Sequence, residues 1–370
     1  MLETSDYWIY NNKLIFKSSF NSSLYKYLNL LKNYDEIIFF DNYYLSINDN
    51  INTYKCNIDD NYNIDDYNYD IEEDIDDSNY DIEEYIDNYN IDNYNIDNNN
   101  NDICSKKNII KVSCGSSNFN EPLVITKNIV KLTLPNSFNK PVKLSNDLNL
   151  THLSFGDNYN SEIKLNNKLK ILFFGYNFNQ NLILSDNLTY LYFLHEFNHP
   201  IELCKNLKIL ILSYKFNSHI NFNNNTDLEH LTLNVCFNQK LLLPDTIKSL
   251  KINLQLPQMI YNLIINENIQ FIIDNLTDNL VKLHIECLSF NSPNLDNLPN
   301  SLKIIKLSGL YNQSVNNLPD SIEYIKLSHN YNLEINKFPK NLKKIKCNKN
   351  YKFTNNFKNK YEIEYYSYSL

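Results

Sequence analysis

Apolar residues recur along most of the chain in one fixed order, with a period of 19 to 21 residues. In a complete unit, apolar residues lie nine, six and four positions before an aromatic-asparagine pair, and one more lies four positions after it. One such unit contains Leu188, Leu191, Phe193, Phe197-Asn198 and Ile201. Leu191 and Phe193 are two positions apart, as residues on one face of a strand are. The pattern therefore predicts one short strand in each unit.

The aromatic-asparagine pair marks the phase of the repeat. Successive pairs from Phe119 to Phe237 are separated by 19, 21, 19, 19, 19 and 21 residues, and the pattern returns after a gap. We predict that both side chains of each pair are buried and stack from turn to turn, because a buried amide can satisfy backbone groups at a turn. The predicted ladder consists of Phe119, Asn120, Phe138, Asn139, Tyr159, Asn160, Phe178, Asn179, Phe197, Asn198, Phe216, Asn217, Phe237, Asn238, Phe290, Asn291, Tyr311, Asn312, Tyr331 and Asn332.

The length of the repeat selects the class of fold. An L-x-x-L-x-L core in a unit of about 20 residues is typical of leucine-rich repeats, in which stacked units bury a continuous core. We therefore predict a β-rich repeat solenoid, leucine-rich-repeat-like, with one short parallel strand per repeat and little helix. Two degenerate units are predicted in the gap, one with Leu250, Ile252, Leu256 and Ile260, the other with Leu263, Ile265, Ile269 and Ile273.

Two short motifs within the units point to a family. Phe119-Asn120-Glu121-Pro122-Leu123 and Phe197-Asn198-His199-Pro200-Ile201 match F-N-x-P-[I/L], and Leu318-Pro319-Asp320-Ser321-Ile322 matches L-P-x-S-[I/L]. Through these motifs the chain resembles the FNIP repeats over residues 110–353. The resemblance implies a leucine-rich-repeat-like interaction module of a family found in amoebae and their large DNA viruses. Members of that family often carry an F-box before the repeats.

The N-terminal segment departs from the F-box arrangement. Residues 1–56 lack a Leu-Pro start and a helical apolar pattern, which argues against the role of ubiquitin-ligase substrate adaptor that family analogy suggests. Apolar spacing instead predicts two degenerate repeats that cap the stack, carried by Leu14, Phe16, Phe20-Asn21 and Leu24, and by Ile37, Phe39, Tyr43 and Ile47. The predicted divisions are this cap at 1–56, an insert at 57–102, the solenoid at 103–356 and a C-terminal tail at 357–370.

Charge is distributed very unevenly along the chain. The insert at residues 57–102 holds 17 Asp or Glu and no Lys, so we expect a low-complexity, disordered segment. The remainder carries 34 Lys, no Arg and 26 acidic residues, a formal +8, although the whole chain is −9. One hypothesis is that the insert interacts diffusely with lysines of the same solenoid, because tethered opposite charges meet at high effective concentration.

One string of residues matches a catalytic motif. His195-Glu196-Phe197-Asn198-His199 has the H-E-x-x-H spacing of zinc peptidases, in which a helix places both imidazoles on one face. Here Phe197 and Asn198 keep the phase of the repeat and Pro200 follows directly, so we predict no metal site. The four glycines are too scattered to form a phosphate-binding loop. We therefore predict a protein that is not an enzyme and has no cofactor.

Cellular location is inferred from two further patterns. The first residues lack an apolar signal segment, and no stretch approaches the roughly 18 apolar residues that a membrane span requires. The seven cysteines are scattered and contain no C-x-x-C pair, which is typical of reduced thiols. We expect an intracellular, cytoplasmic protein that does not associate with a membrane.

Two functional hypotheses follow from strand positions expected to be exposed. The first is a protein-interaction scaffold, because bulky residues at these positions form an apolar strip of the kind found at partner sites. The second is binding of nucleic acid or another polyanion, which the acidic net charge and the absence of Arg disfavour. The apolar strip consists of Ile171, Phe173, Tyr190, Tyr192, Ile209 and Ile211, and a basic column consists of Lys251, Lys306, Lys326 and Lys346.

Overall fold

The computed structural model defines the fold for most of the repeat region. It describes residues 2–3, 7–10, 13–16, 22, 24–27, 30, 36–39, 108–110, 119–123, 125, 127, 129–254, 267–287 and 292–366. Within these residues, no helix is long and apolar enough to cross a membrane.

The described N-terminal part begins with an antiparallel hairpin and then joins the parallel stack. Strands β1 (Leu2–Glu3) and β2 (Tyr7–Tyr10) pair antiparallel, as do β2 and β3 (Lys13–Phe16). A 3₁₀ turn at Leu24–Tyr27 precedes β4 (Glu36–Phe39), which pairs in parallel with β3. Leu14 and Phe16 of the first predicted degenerate repeat therefore lie on β3, and Ile37 and Phe39 of the second lie on β4.

Each later strand of the stack pairs in parallel with the next. Leu172 lies opposite Leu191, which lies opposite Leu210, so equivalent residues of successive repeats align. The strands of this sheet after β4 are β5 (Asn108–Ile110), β6 (Ile129–Thr133), β8 (His152–Ser154), β10 (Ile171–Phe174), β11 (Tyr190–Phe193), β13 (Ile209–Ile211), β15 (His230–Leu233), β16 (Ser249–Leu254), β17 (Lys282–Cys287), β18 (Ile304–Gly309), β19 (Tyr324–Lys326), β20 (Lys344–Cys347) and β21 (Glu362–Tyr365).

The second half of several repeats forms a smaller set of parallel pairs. Strand β7 (Val142–Lys143) pairs with β9 (Ile163–Lys164), and β12 (Ile201–Glu202) pairs with β14 (Ile220–Asn221). Each of these strands begins at the residue four positions after the aromatic of its unit, and Ile201 is buried. The core of each repeat therefore lies between the main sheet and these short strands.

The aromatic of each repeat fills the centre of that core. Phe178, Phe197 and Phe216 are each 1% exposed, and their ring centroids are 6.0 Å apart from turn to turn with nearly parallel planes. In the same turn, Phe193 stacks on Phe197 at 3.8 Å. This continuous aromatic stack and the parallel register define a leucine-rich-repeat-like β-solenoid with little helix.

The structure differs from the sequence-based prediction in the gap. Strand β16 pairs directly with β17, so the second degenerate unit predicted there does not contribute a strand between them. Its residues Ile269 and Ile273 instead lie on helix α1 (Glu267–Asp274), where Ile272 is also buried. Spacings of three and four residues place these side chains on one helical face.

The predicted tail also differs from the structure. Strand β21, at Glu362–Tyr365, pairs in parallel with β20 and places Ile363 opposite Ile345. The solenoid therefore extends beyond residue 356. The last aromatic-asparagine pair, Tyr331-Asn332, comes before this unit. The repeat period therefore does not predict β21.

Candidate partner-binding surface

The side of the main sheet that points away from the core is called the strand face here. Its side chains form columns because the parallel register aligns equivalent positions of successive strands. One of these, the second column, contains the residue five positions before the aromatic of a repeat, or its equivalent in the strand register. From β10 onward it reads Phe173, Tyr192, Ile211, Thr232, Lys251, His284, Lys306, Lys326, Lys346 and Glu364.

The apolar strip lies on this face but is less exposed than the sequence predicts. Ile171 is 3% exposed and Tyr190 5%. The other four members, Phe173, Tyr192, Ile209 and Ile211, are half-buried. Adjacent parallel strands are only about 4.8 Å apart, so bulky side chains in neighbouring positions shield one another. The Phe173 ring, for example, lies 5.1 Å from the Tyr190 ring and 5.7 Å from the Tyr192 ring.

Tyr190 has an unusual environment within the strip. Burial, together with neighbouring Tyr192, raises the pKa of its phenol far above the ordinary value. Its hydroxyl is buried and has no hydrogen-bond partner in the structure. Buried hydroxyls normally make hydrogen bonds, and this one is an exception.

The structure places all four lysines of the basic column in one line of the strand face. Lys306, Lys326 and Lys346 occupy consecutive strands, and His284 separates Lys306 from Lys251. The sequence reading missed His284 because its strand follows the gap, where the Phe-Asn phase is lost. The alternation of Leu283 and Ile285 around it was the available signal.

His284 is a buried imidazole among cationic groups. It is 6% exposed, and its Nε2 lies 3.1 Å from the hydroxyl of buried Ser308, while Nδ1 has no hydrogen-bond partner. Burial, reinforced by the charges of Lys251, Lys326 and other lysines, holds the pKa of His284 well below its usual value. The ring is therefore neutral at physiological pH, and its Nδ1 is a buried polar atom without a hydrogen bond.

The lysines at both ends of the basic column form ion pairs with glutamates. The Lys251 ammonium lies 3.5 Å from the carboxylate of Glu286, and that of Lys346 lies 3.0 Å from Glu364. Lys344 also pairs with Glu364, at 2.7 Å, and this contact lowers the pKa of the Glu364 carboxyl. The strand face is consequently basic in this region without being uniformly cationic.

The aromatic-asparagine ladder corrects one part of the sequence prediction. The described aromatic members are buried, but Asn179 and Asn198 are exposed and Asn217 is half-buried. The predicted burial of the asparagines is therefore wrong. Their function is nevertheless repetitive, because each Oδ1 accepts a hydrogen bond from the backbone N–H of the next asparagine, at 3.0 Å from Asn198 to Asn179 and 2.8 Å from Asn217 to Asn198.

This arrangement predicts a modest energetic role for each amide. Oδ1 of Asn198 accepts hydrogen bonds from the Asn217 N–H and, at 2.9 Å, from the Ser218 hydroxyl. We expect Asn198→Ala to lower the free energy of unfolding by about 1 kcal/mol, whereas Asn198→Asp, which keeps both acceptors, loses less than about half of that. Urea unfolding followed by circular dichroism measures both. Equal losses for the two variants would contradict a role for the acceptor oxygen.

The H-E-x-x-H string does not lie on a helix. The ring of His195 stacks between Tyr176 and Tyr214, at 4.0 Å and 5.0 Å, and its Nδ1 lies 2.8 Å from Glu196. Nε2 of His199 instead faces the backbone carbonyl of Asn179 at 3.1 Å. Among the described residues, no group of three or more His, Cys, Asp or Glu side chains has the geometry to hold a metal ion.

These separate environments predict the outcome of a metal assay. The two imidazoles have different partners, so we expect zinc well below one ion per chain in the purified protein and no change on His199→Ala. Mass spectrometry measures the metal content. The control is Asn179→Ala, which changes the residue next to His199 without removing an imidazole. Stoichiometric zinc that disappears in His199→Ala would contradict the prediction.

Parts of the sequence prediction lie outside the described residues. They are the acidic insert at 57–102 with its proposed interaction with the lysines, the Phe290-Asn291 pair of the ladder, and several residues of the degenerate units. The last are Phe20-Asn21, Tyr43, Ile47, Leu256, Ile260, Leu263 and Ile265. The described cysteines Cys204, Cys236, Cys287 and Cys347 are free thiols.

The comparisons with known proteins are sparse. No protein-family model matches the chain, and no curated protein matches it significantly. Among solved structures, the chain is similar to CroV588, described as a novel circular LRR protein, with a TM-score of 0.41 and 20% sequence identity. The alignment covers 94% of this chain and 58% of the CroV588 chain, so this chain spans less than two thirds of that protein.

Proposed function

We propose that this chain is a non-enzymatic scaffold that binds a protein partner on the strand face of its solenoid. The observation that carries this proposal is the apolar strip, in which Phe173, Tyr192 and Ile211 continue one column over three adjacent strands. Small or polar residues at these positions would be enough to keep the solenoid soluble. Thr232, at the next position of the same column, is such a residue. Aromatic residues are enriched where proteins bind partners.

The family and location belong to the same proposal. The F-N-x-P and L-P-x-S motifs support membership of the FNIP repeats, and the free thiols support an intracellular location. The acidic net charge and the glutamates beside Lys251 and Lys346 favour a protein partner over nucleic acid.

A site-specific photocrosslink tests the proposal. We would place p-benzoylphenylalanine at Tyr192, on the strand face, and at Ile183, which is 89% exposed elsewhere on the repeat. The expected result is a discrete crosslinked partner from host-cell extract at position 192 that is absent at position 183. Equal crosslinking at both positions, or none at 192, would contradict binding on the strand face.

A further inference from the structure

The second column changes chemical character over a short distance. From Phe173 to Ile211 its residues are apolar, Thr232 forms the boundary, and lysines dominate from Lys251 onward. The first column contains the residue two positions before each member of the second column, such as Ile171 on β10 and Lys344 on β20. Across the strand face from β16 to β21, the first and second columns hold six lysines and two glutamates. The opposite half, from β10 to β13, holds no charged residue in these two columns. A single surface therefore carries an apolar half and a basic half in a fixed order.

The strand register also sets the distance between the two halves. Successive strands are about 4.8 Å apart, so Phe173 and Lys346, separated by eight spacings, are roughly 38 Å apart along the sheet. An extended polypeptide advances about 3.3 Å per residue, so about twelve residues would cover the same length. The face thus has the dimensions of a short linear peptide.

Each half contains a buried polar group that has no hydrogen-bond partner among the described residues. The Tyr190 hydroxyl lies in the apolar half, and Nδ1 of His284 lies in the basic half. In the tautomer that carries a proton on Nδ1, Nε2 accepts the hydrogen bond of Ser308 and the buried Nδ1–H has no acceptor among the described residues. A carboxylate on this half can pair with Lys251 and Lys306, which lie on the strands either side of His284.

The apolar half argues against a continuous polyanion as the occupant. A nucleic acid laid along the second column would place phosphates over Phe173 and Tyr192, where no cation compensates their desolvation. Glu286, buried beside Lys251, would also repel it. An acidic segment that ends in apolar side chains avoids the first difficulty, because it places no charge over Phe173 and Tyr192.

We propose that the strand face binds a linear protein segment of two parts, with aromatic or aliphatic side chains on the apolar half and carboxylates on the basic half. This inference rests on the proposed function and specifies the chemistry of the partner. Apolar burial supplies most of the affinity, and the lysines fix the register of the segment and accelerate its association.

Fluorescence anisotropy with the full chain and labelled synthetic peptides tests the proposal. The probe has about twelve residues, with Leu, Phe and Leu at one end and Glu elsewhere, and it is made in both chain directions. Two reference peptides are an all-Glu peptide and one of the same composition with the apolar residues dispersed. We expect one direction of the probe to bind at least about tenfold tighter than either reference peptide.

Paired variants locate the two parts of the site. Lys306→Gln with Lys346→Gln should weaken the probe about tenfold, and Tyr192→Thr with Ile211→Thr should do the same, since Thr occupies this column naturally at position 232. Lys164→Gln with Lys168→Gln removes the same charge from exposed positions off the strand face and should change binding less than about twofold. Far-UV circular dichroism verifies that each variant is folded.

The outcomes separate this inference from the proposed function. Three results would each overturn it. The dispersed peptide could bind as tightly as the probe, or the Lys164 and Lys168 control could lose as much affinity as the Lys306 and Lys346 variant. Heparin could also bind more tightly than the probe while the all-Glu peptide binds as tightly as the probe. A discrete photocrosslink at position 192 together with no probe binding would overturn the two-part segment and leave the protein-interaction scaffold standing. Absence of both would overturn the two proposals together.

Discussion

Replacing Phe197 by alanine is expected to lower the free energy of unfolding by about 3–5 kcal/mol, the range for deleting a buried aromatic side chain. Phe197 is 1% exposed and stacks on Phe193 within its turn and on Phe178 and Phe216 in the adjacent turns. Its removal leaves a cavity and interrupts the aromatic stack on both sides. Because each repeat is stabilised mainly by its neighbours, the loss extends beyond one unit.

Two further variants serve as controls for the Phe197→Ala measurement. Tyr159 occupies the equivalent ladder position, and its hydroxyl donates to the Glu162 carbonyl at 3.0 Å, so Phe197→Tyr should lose less than about 1.5 kcal/mol. Ile183→Ala, at a side chain that is 89% exposed, should change stability by less than about 0.5 kcal/mol. Urea unfolding measures all three. A loss for Phe197→Ala no larger than that for Ile183→Ala would contradict the aromatic stack as the main source of stability.

The repeated strands could be predicted from sequence because one geometric rule applies in every turn. Leu191 and Phe193 both face the core, and the residues between and before them face away, so a single phase determines every column. The same rule predicts the alignment of Lys306, Lys326 and Lys346 from the sequence. It failed where the phase was lost, at α1 and β21, although the spacing of Ile269, Ile272 and Ile273 already indicated a helix.

Exposure was harder to predict than position. The period shows that Asn198 recurs at a turn, but not that its amide lies at the surface, where it connects backbone groups of adjacent turns. It also shows that Ile171 and Tyr190 face away from the core, but not that adjacent side chains shield them. Burial of this kind depends on side-chain size in neighbouring strands, which a single repeat does not contain. The unpartnered His284 nitrogen depends on the same three-dimensional context.

Replacing Gly309 by alanine is the second substitution expected to have a large effect. Gly309 ends β18 with a φ of 65°, in the left-handed region that glycine adopts without steric cost. A Cβ at this position would lie 2.1 Å from the carbonyl oxygen of Cys287 on the adjacent strand, so the backbones of β17 and β18 would have to separate. That same oxygen accepts a hydrogen bond from the Leu310 N–H at 2.5 Å.

Conformational strain and the steric clash make separable contributions to this loss. The left-handed conformation costs a non-glycine residue about 1–2 kcal/mol, and overpacking against a backbone atom costs about 1–3 kcal/mol more, so we expect a total of about 2–5 kcal/mol. Asparagine tolerates positive φ but also carries a Cβ, so Gly309→Asn should remain at least about 1 kcal/mol less stable than the wild type. Thermal and urea unfolding measure both, with Asn330→Ala at an exposed turn as the control. Full stability of Gly309→Asn would show that the φ angle, and not the close approach of the two strands, requires glycine.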